Sequence, residues 1–164
     1  MAVEVCTGSV EVESMNQPLF DVLRAAVDGR PGFWFVMDPA SEECFFNGAI
    51  RQRVGLRCGL RRLWETRAMM LNFEECVPEA FEQLKCLGRY CVVAMMRLSE
   101  VESEPWAVHG RLITCVEAGH RCPNCSATQR CRVVVGASVP LSARPAGSGL
   151  GQHQASGSEP PRRS

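Results

Sequence analysis

The sequence lacks the features that mark several large classes of protein. No apolar run approaches the roughly 20 residues that a membrane-spanning helix needs, so we expect no direct membrane span. The first residues, MAVEVCTGSVEVESMNQ, are acidic and have no apolar centre, so we expect neither a secretory signal nor a transit peptide. Formal charge balances at 18 basic and 18 acidic residues, so nucleic-acid binding, which needs a net positive field, is not expected.

Catalytic groups are also scarce. The chain has 3 histidines, and no glycine-rich phosphate loop or recognisable carboxylate pair accompanies them. Lys85 is the only lysine, so Arg supplies the other 17 of the 18 basic residues. Because Arg makes planar, bidentate contacts at interfaces, we expect a non-catalytic chain whose partners are other protein subunits of a large complex.

Cysteine, by contrast, is abundant, with 10 residues in a chain of 164. This density is high for a reduced cytosolic protein. It leaves three uses open: metal ligands, free thiols, or disulfides made in an oxidising compartment.

The chain divides by composition into four segments. Residues 1–40 form an N-terminal extension, with a short amphipathic helix predicted over 16–28. Residues 41–98 carry most of the helical pattern, and residues 105–135 carry two strand patterns around the loop HRCPNCSAT. Residues 136–164 are rich in Gly, Ser and Pro, which predicts a flexible tail.

The most apolar stretch is FWFVM, residues 33–37, near the end of the N-terminal extension. It predicts a buried strand. Trp34 is in addition a candidate partner contact, because aromatic side chains carry much of the binding energy at interfaces.

Two helices are predicted within residues 41–98, the first from Ser41 to about residue 66 and the second from about residues 74–78 to residue 98. Gly48, Gly55 and Gly59 each cost up to about 1 kcal/mol relative to Ala inside a helix. The first helix therefore needs support from elsewhere, and disulfides would each contribute about 2–4 kcal/mol.

Cysteine spacing favours two bridges between these helices. Cys44 and Cys58 are 14 residues apart and Cys76 and Cys91 are 15 apart, which gives similar rises of about 21 and 22 Å. An antiparallel pair of helices would then join Cys58 to Cys76 and Cys44 to Cys91. In a second register Cys58 lies opposite Cys86, and in a third interpretation the thiols are free and buried.

The predicted fold class is therefore mainly α. It is a disulfide-clamped antiparallel helical hairpin, preceded by a short N-terminal helix and followed by a small C-terminal β-hairpin or knuckle.

The stretch CVPEAFEQLKCLGRYCVVAMMRL, residues 76–98, carries a family resemblance. It has a Cys, then acidic residues, then Phe and Leu at helical spacing, then a Cys before an apolar stripe. In this it resembles the coiled-coil-helix-coiled-coil-helix family of the mitochondrial intermembrane space, and within it most of all the hinge subunits of the cytochrome bc1 complex (complex III). The likeness covers about residues 41–98. The spacing from Cys76 to Cys86 is also similar to that of accessory subunits of complex I and cytochrome oxidase.

This resemblance implies a function. It implies a non-catalytic accessory subunit of a respiratory-chain complex, on the intermembrane-space side of the mitochondrial inner membrane, that supports the interaction of cytochrome c1 with cytochrome c. Acidic side chains of the second helix would steer that encounter electrostatically; the candidates are Glu74, Glu75, Glu79 and Glu82.

A second group of cysteines lies in the C-terminal hairpin, at Cys115, Cys122, Cys125 and Cys131. The CPNC spacing lets two thiolates hold one zinc ion, and Cys115 and Cys131 would complete a tetrahedral site, with His120 able to replace one of them. Alternatively, Cys115 pairs with Cys131 and Cys122 with Cys125 as disulfides, or all four are free. We expect no cofactor unless zinc occupies this group.

Two further functions remain open at this point. One is a zinc-knuckle binding module in a large assembly such as a ribosome, in which Arg residues around the knuckle contact phosphate. The other is a thiol oxidoreductase that works through Cys122 and Cys125.

Overall fold

An antiparallel sheet of six strands organises the chain in the computed structural model, which describes residues 14–126 and 128–141. The strand order is β3-β2-β1-β6-β5-β4. In chain order the elements are α1 (Gln17–Asp28), β1 (Phe33–Asp38), β2 (Glu43–Phe46), α2 (Gly48–Val54), β3 (Leu60–Arg62), a 3₁₀ helix (Leu63–Ala68), α3 (Phe73–Leu87), β4 (Arg89–Arg97), β5 (Ser103–Thr114) and β6 (Arg132–Pro140). The predicted fold class, a mainly α-helical hairpin clamped by disulfides, is therefore wrong.

The predicted helix over residues 41–66 is replaced by strands and short helices. In β2, Cys44 and Phe46 pack on one side of the sheet while Phe45 packs on the other, which is the period of two that a strand requires. Asn47 then caps α2, because its Oδ1 accepts a hydrogen bond from the Ile50 amide at 3.3 Å. Gly55 ends α2 with a φ of 74°, so the glycines that weaken a long helix mark the boundaries of shorter elements.

The second predicted helix is present but stops early. α3 ends at Gly88, whose φ of 69° lies in the left-handed region that glycine adopts without steric cost. The chain then reverses into β4, where Val92, Ala94 and Met96 are buried and Cys91 and Val93 are exposed. Pairing of β4 with β5 over nine residues outweighs the helix propensity of Ala94 and its methionine neighbours, as tertiary context often does.

Other elements agree with the sequence. α1 occupies the helix predicted over 16–28, and β1 is the buried strand predicted over 33–37. The two strands predicted within 105–135 are β5 and β6, which pair from Trp106–Pro140 to Thr114–Arg132. They lie in the interior of the sheet, however, and do not form a separate C-terminal extension. The sheet combines residues from all four predicted segments.

The sheet separates two apolar cores. The larger core, on the side of α2 and α3, includes Trp106, Met96 and Leu84. The smaller core lies under α1 and includes Phe20, Val36 and Val133. Burying a large apolar side chain contributes about 1.5–3 kcal/mol, so both faces stabilise the sheet.

Two buried carboxylates fasten the elements together. Asp38, 1% exposed, accepts hydrogen bonds from Asn16 Nδ2 at 2.8 Å and Ser41 Oγ at 3.0 Å. Glu104 accepts from the Arg53 guanidinium at 3.0 Å and from Trp106 Nε1 at 2.8 Å. These bonds attach α1 to β1 and α2 to β5.

Two predictions fall partly or wholly outside the described residues. The acidic start covers residues 1–13, and most of the predicted tail lies beyond residue 141. Among the residues that the structure describes, no helix combines the length and apolar character needed to cross a bilayer.

Candidate metal centre and internal cavity

Three thiols meet at the loop end of the β5–β6 hairpin. The strand pairing ends at Thr114 and Arg132, so Cys115 and Cys131 face each other just beyond it. The connecting loop returns Cys125 to a position between them, with its Sγ at 3.0 Å from Cys115 Sγ and at 3.2 Å from Cys131 Sγ. All three Sγ atoms lie within 4.8 Å of one another.

Hydrogen bonds make Cys125 the most acidic thiol of the three. Hydrogen bonding with the Cys115 thiol, then with the Cys131 backbone N–H at 3.2 Å, lowers the pKa of Cys125 to about 7. Burial, in contrast, raises the pKa of Cys131, and the hydrogen bond with Cys125 raises that of Cys115. Cys125 therefore has the lowest pKa of the three thiols, and its sulfur accepts a hydrogen bond from the Cys131 amide.

Cys122 and His120 are the two candidates for the fourth ligand of a metal ion at this site. The half-buried Cys122 thiol lies close enough to Cys125 and Cys131 to influence the pKa of each. Neither Cys122 nor His120 belongs to the group of ligand atoms within 4.8 Å of one another, and the His120 Nε2 is buried without a hydrogen-bond partner in the described structure. The CPNC spacing and the proximity to the other thiols favour Cys122.

The arrangement suits a metal ion better than disulfides. A disulfide joins two sulfurs at about 2.05 Å, so the central Cys125 could bond to Cys115 or Cys131 but not to both. A metal ion binds all of them at once, with sulfur ligands at about 2.3 Å from a zinc ion. The cluster can therefore hold a metal ion, which is one of the alternatives that the sequence left open.

The surroundings of the cluster join it to α1. Cys115, Cys122, Cys125 and Cys131 pack against the smaller core with Leu19 and Phe20. The Asn124 side chain donates to the Met15 carbonyl at 3.3 Å, and the Arg132 amide donates to Asn16 Oδ1 at 2.9 Å. The loop and the start of α1 are thus held as one unit. Arg121 and Arg130 in the loop and Arg132 at the start of β6 are exposed and lie next to these cysteines in the sequence.

The structure places the four cysteines of the predicted helical clamp on separate elements, all as free thiols. Cys44 lies in β2 and Cys76 in α3, where both line the apolar cavity described below. Cys58 lies in the loop before β3, and Cys91 is exposed on β4. The two matched bridges require a pair of straight helices, which the sheet replaces.

The predicted partner-binding residues are accessible. Glu74, Glu75, Glu79 and Glu82 are exposed on α3, where Glu74 pairs with Arg67 at 2.6 Å. Trp34 is half-buried in β1 and its Nε1 donates to the Pro31 carbonyl at 2.9 Å. Partner binding by these residues stays a prediction.

An apolar cavity of about 90 Å³ lies between the sheet and the helices α2 and α3. Its lining includes Met37, Met69, Ala94 and Trp106. Sequence reasoning missed this cavity because it assigned β4 to a helix. Residues 92–96, VVAMM, show no alternation of apolar and polar side chains, so the sequence carries no signal that could have revealed it.

No protein-family model matches the chain, and no curated protein matches it in sequence. Among solved structures, a light-oxygen-voltage domain from a study of a flavin analogue matches with a TM-score of 0.50. The match covers 79% of this chain and 89% of that chain at 12% sequence identity. At this identity the likeness concerns the fold, which is the sheet-dominated PAS fold.

The resemblance to the mitochondrial helical-hairpin family is thereby overturned. Its pair of long helices is not present in the described residues, because strands and short helices replace the first and β4 replaces the end of the second. The inferred role as a respiratory-chain subunit is therefore also wrong, whether in complex III, complex I or cytochrome oxidase. The predicted location at the mitochondrial inner membrane rested on the same resemblance, and the fold gives it no support.

Proposed function

We propose that this chain is a PAS-like sensory domain that carries a structural zinc ion on Cys115, Cys122, Cys125 and Cys131. The observation that carries the proposal is the convergence of the Cys115, Cys125 and Cys131 sulfurs within 4.8 Å. The PAS fold supports the sensory role, because domains of this fold present a ligand-sized interior between a sheet and helices; here that space is the apolar cavity.

Zinc is the metal that this donor set favours. Soft thiolate ligands in a tetrahedral arrangement select zinc or iron–sulfur clusters. A single ion fits the three described sulfurs better than a cluster does, because Cys125 Sγ lies 3.0 Å from Cys115 Sγ and 3.2 Å from Cys131 Sγ, and all three lie within 4.8 Å. Four sulfur ligands leave no open position, which is the mark of a structural rather than a catalytic zinc site. We therefore propose that the domain is not an enzyme by itself.

A flavin does not fit the cavity. An apolar cavity of about 150 Å³ holds a molecule the size of benzene, which is far smaller than a flavin, and the cavity between the sheet and α2–α3 measures about 90 Å³. Its lining is also almost wholly apolar: the Thr66 hydroxyl, which lines it, already donates to the Leu63 carbonyl at 2.6 Å. The residues of this chain do not support flavin chemistry at that position.

Metal analysis of the purified protein tests the zinc proposal. We expect one zinc ion per chain, lost in Cys125→Ser and Cys122→Ser and retained in His120→Ala and in Cys86→Ser, whose thiol is exposed on α3. Retention of zinc by Cys125→Ser, or its absence from the unmodified protein, would contradict the proposal.

The cavity favours a second property, the binding of a very small apolar ligand. Dry apolar cavities accept xenon and similar molecules. A volume of about 90 Å³ limits the ligand to a few atoms, so a dissolved gas is the class of ligand that fits.

A further inference from the structure

The face of the sheet opposite the apolar cavity carries a groove of about 550 Å³. Strand register brings two rows of side chains into it. Cys91, His109, Ala137 and Trp34 are direct neighbours across β4, β5, β6 and β1. The adjacent row places Arg89 opposite Arg111, followed by Val135.

Two arginines directly opposite each other are unfavourable without a counter-ion. Arg89 forms no ion pair within the described part of the chain, and Arg111 has one distant partner, Glu117, at 3.8 Å. The described lining of the groove contains no Asp or Glu. His109 adds a further hydrogen-bonding group, with its Nε2 at 4.0 Å from Cys91 Sγ.

The remaining lining of the groove is mostly apolar and includes Leu87, Val135, Ala137 and Trp34, with Gln83 and Tyr90 adding polar groups. The Arg30 guanidinium lies 4.6 Å from the centroid of the Trp34 ring and covers one of its faces. The volume lies in the range of about 300–1,000 Å³ that small-molecule sites occupy. The groove thus combines a cationic end with a surface suited to a flat apolar body.

We propose that this groove binds a small organic phosphate monoester, with the phosphate between Arg89 and Arg111 and the organic group against Trp34. Guanidinium groups bind phosphate oxygens through paired, charge-assisted hydrogen bonds. A dianion neutralises two facing arginines more completely than a carboxylate does. The site lies on the other side of the sheet from the cavity and does not depend on the zinc centre.

Calorimetric titration with phenyl phosphate, at fixed ionic strength, tests this site. We expect saturable binding at one site, weakened about tenfold or more by Arg89→Gln or by Arg111→Gln, since each removes hydrogen bonds to a charged group. The matched control is Arg97→Gln, which removes an exposed Arg on the same strand and the same face, outside the groove. It should change the affinity by no more than about twofold, as expected of a distant, screened charge.

Two further ligands test the assigned chemistry. Inorganic phosphate, which lacks the apolar body, and benzoate, which lacks the second charge, should each bind more weakly than phenyl phosphate. Equal affinity for either one, equal losses in Arg97→Gln and Arg89→Gln, or no saturable binding of phenyl phosphate would overturn the proposal. Unchanged thermal unfolding of the variants, all at exposed positions, would show that a loss of binding is not a loss of fold.

Discussion

Single residues in this fold often fulfil a role that their sequence position does not suggest. Asn16 and Asn72 precede α1 and α3, at a position where asparagine commonly caps a helix, yet neither makes a side-chain capping bond. Asn72 instead bridges to β4, donating to the Val93 carbonyl at 2.9 Å and accepting from the Met95 amide at 2.8 Å. Such tertiary partners lie more than 20 residues away, and no local pattern announces them.

Glu104 is the residue whose loss should most clearly weaken the fold. Glu104→Ala removes the acceptor of Trp106 Nε1, and the Trp106 side chain is 1% exposed. An unsatisfied buried donor costs about 1–3 kcal/mol, whereas Arg53, whose side chain is 47% exposed, can return to water. Urea unfolding should show this decrease in the free energy of unfolding.

Glu102→Ala is the matched control, because Glu102 is exposed and its described hydrogen bonds involve only its backbone. An equal loss of stability in both variants would contradict the role assigned to Glu104.

Cysteine reactivity should follow burial rather than the predicted pairing. Burial raises the pKa of the Cys76 thiol to about 11 and also raises that of Cys44, while Cys86 and Cys91 are exposed. Because the thiolate is the reactive form, iodoacetamide should modify Cys44 and Cys76 at least about tenfold more slowly than the exposed pair.

Peptide mapping by mass spectrometry measures both the rates and the pairing. After unfolding without a reductant, Cys44, Cys58, Cys76 and Cys91 should all be alkylated. Recovery of a Cys44–Cys91 or Cys58–Cys76 peptide would contradict the structure.

At the scale of elements, the hairpin loop should depend on the metal. The described residues of the loop from 115 to 131 form few backbone hydrogen bonds with one another, one of them from the Ser126 amide to the Gln129 carbonyl at 2.8 Å. Zinc would constrain this loop and, through Asn124 and Arg132, the start of α1. A chelator should therefore increase amide hydrogen exchange in the loop and in the first turn of α1.

α3 and β4 serve as the internal control for that experiment, because their buried side chains pack in the larger core, on the other side of the sheet from the loop's core. Exchange that rises equally in all elements, or in none, would show that the loop does not hold a stabilising metal.

Elements were predictable from the sequence where local signals were strong. α1 has Pro18 near its start and Gly29 at its end, and β1 is a continuous apolar run. The structure of segment 41–66 was not predictable, because its strand pattern spans only the four residues of β2 before Asn47 caps a new helix. β4 was wrongly predicted as part of a helix, because the apolar residues of RYCVVAMMR fit helical and strand spacing equally well over nine residues.

The thiol cluster was the part of the site that the sequence did suggest. CPNC and the two flanking cysteines fixed the candidate ligands, but the position of Cys125 between Cys115 and Cys131 depends on the path of the loop. The groove with Arg89 and Arg111 could not be foreseen, because it depends on the register between β4 and β5. The cavity required knowledge of which face of β4 meets α3.

For the whole molecule, the cavity offers a test of the sensory role. Xenon should bind in it and shift the NMR signals of the methyl groups of Met37, Met69 and Ala94, which line the cavity. Ala94→Leu should fill the space and abolish those shifts, at a cost of about 1–3 kcal/mol if the added atoms exceed the free volume.

Val93→Leu, on the exposed face of β4, should leave xenon binding unchanged. Shifts that persist in Ala94→Leu would show that xenon binds elsewhere.

X-ray absorption at the zinc edge tests the central claim most directly, because it reports the ligand atoms of the metal in the intact protein. The account predicts four sulfur neighbours at about 2.3 Å, from Cys115, Cys122, Cys125 and Cys131. A shell containing nitrogen or oxygen would contradict this ligand set, and protein without bound zinc would contradict the metal centre itself.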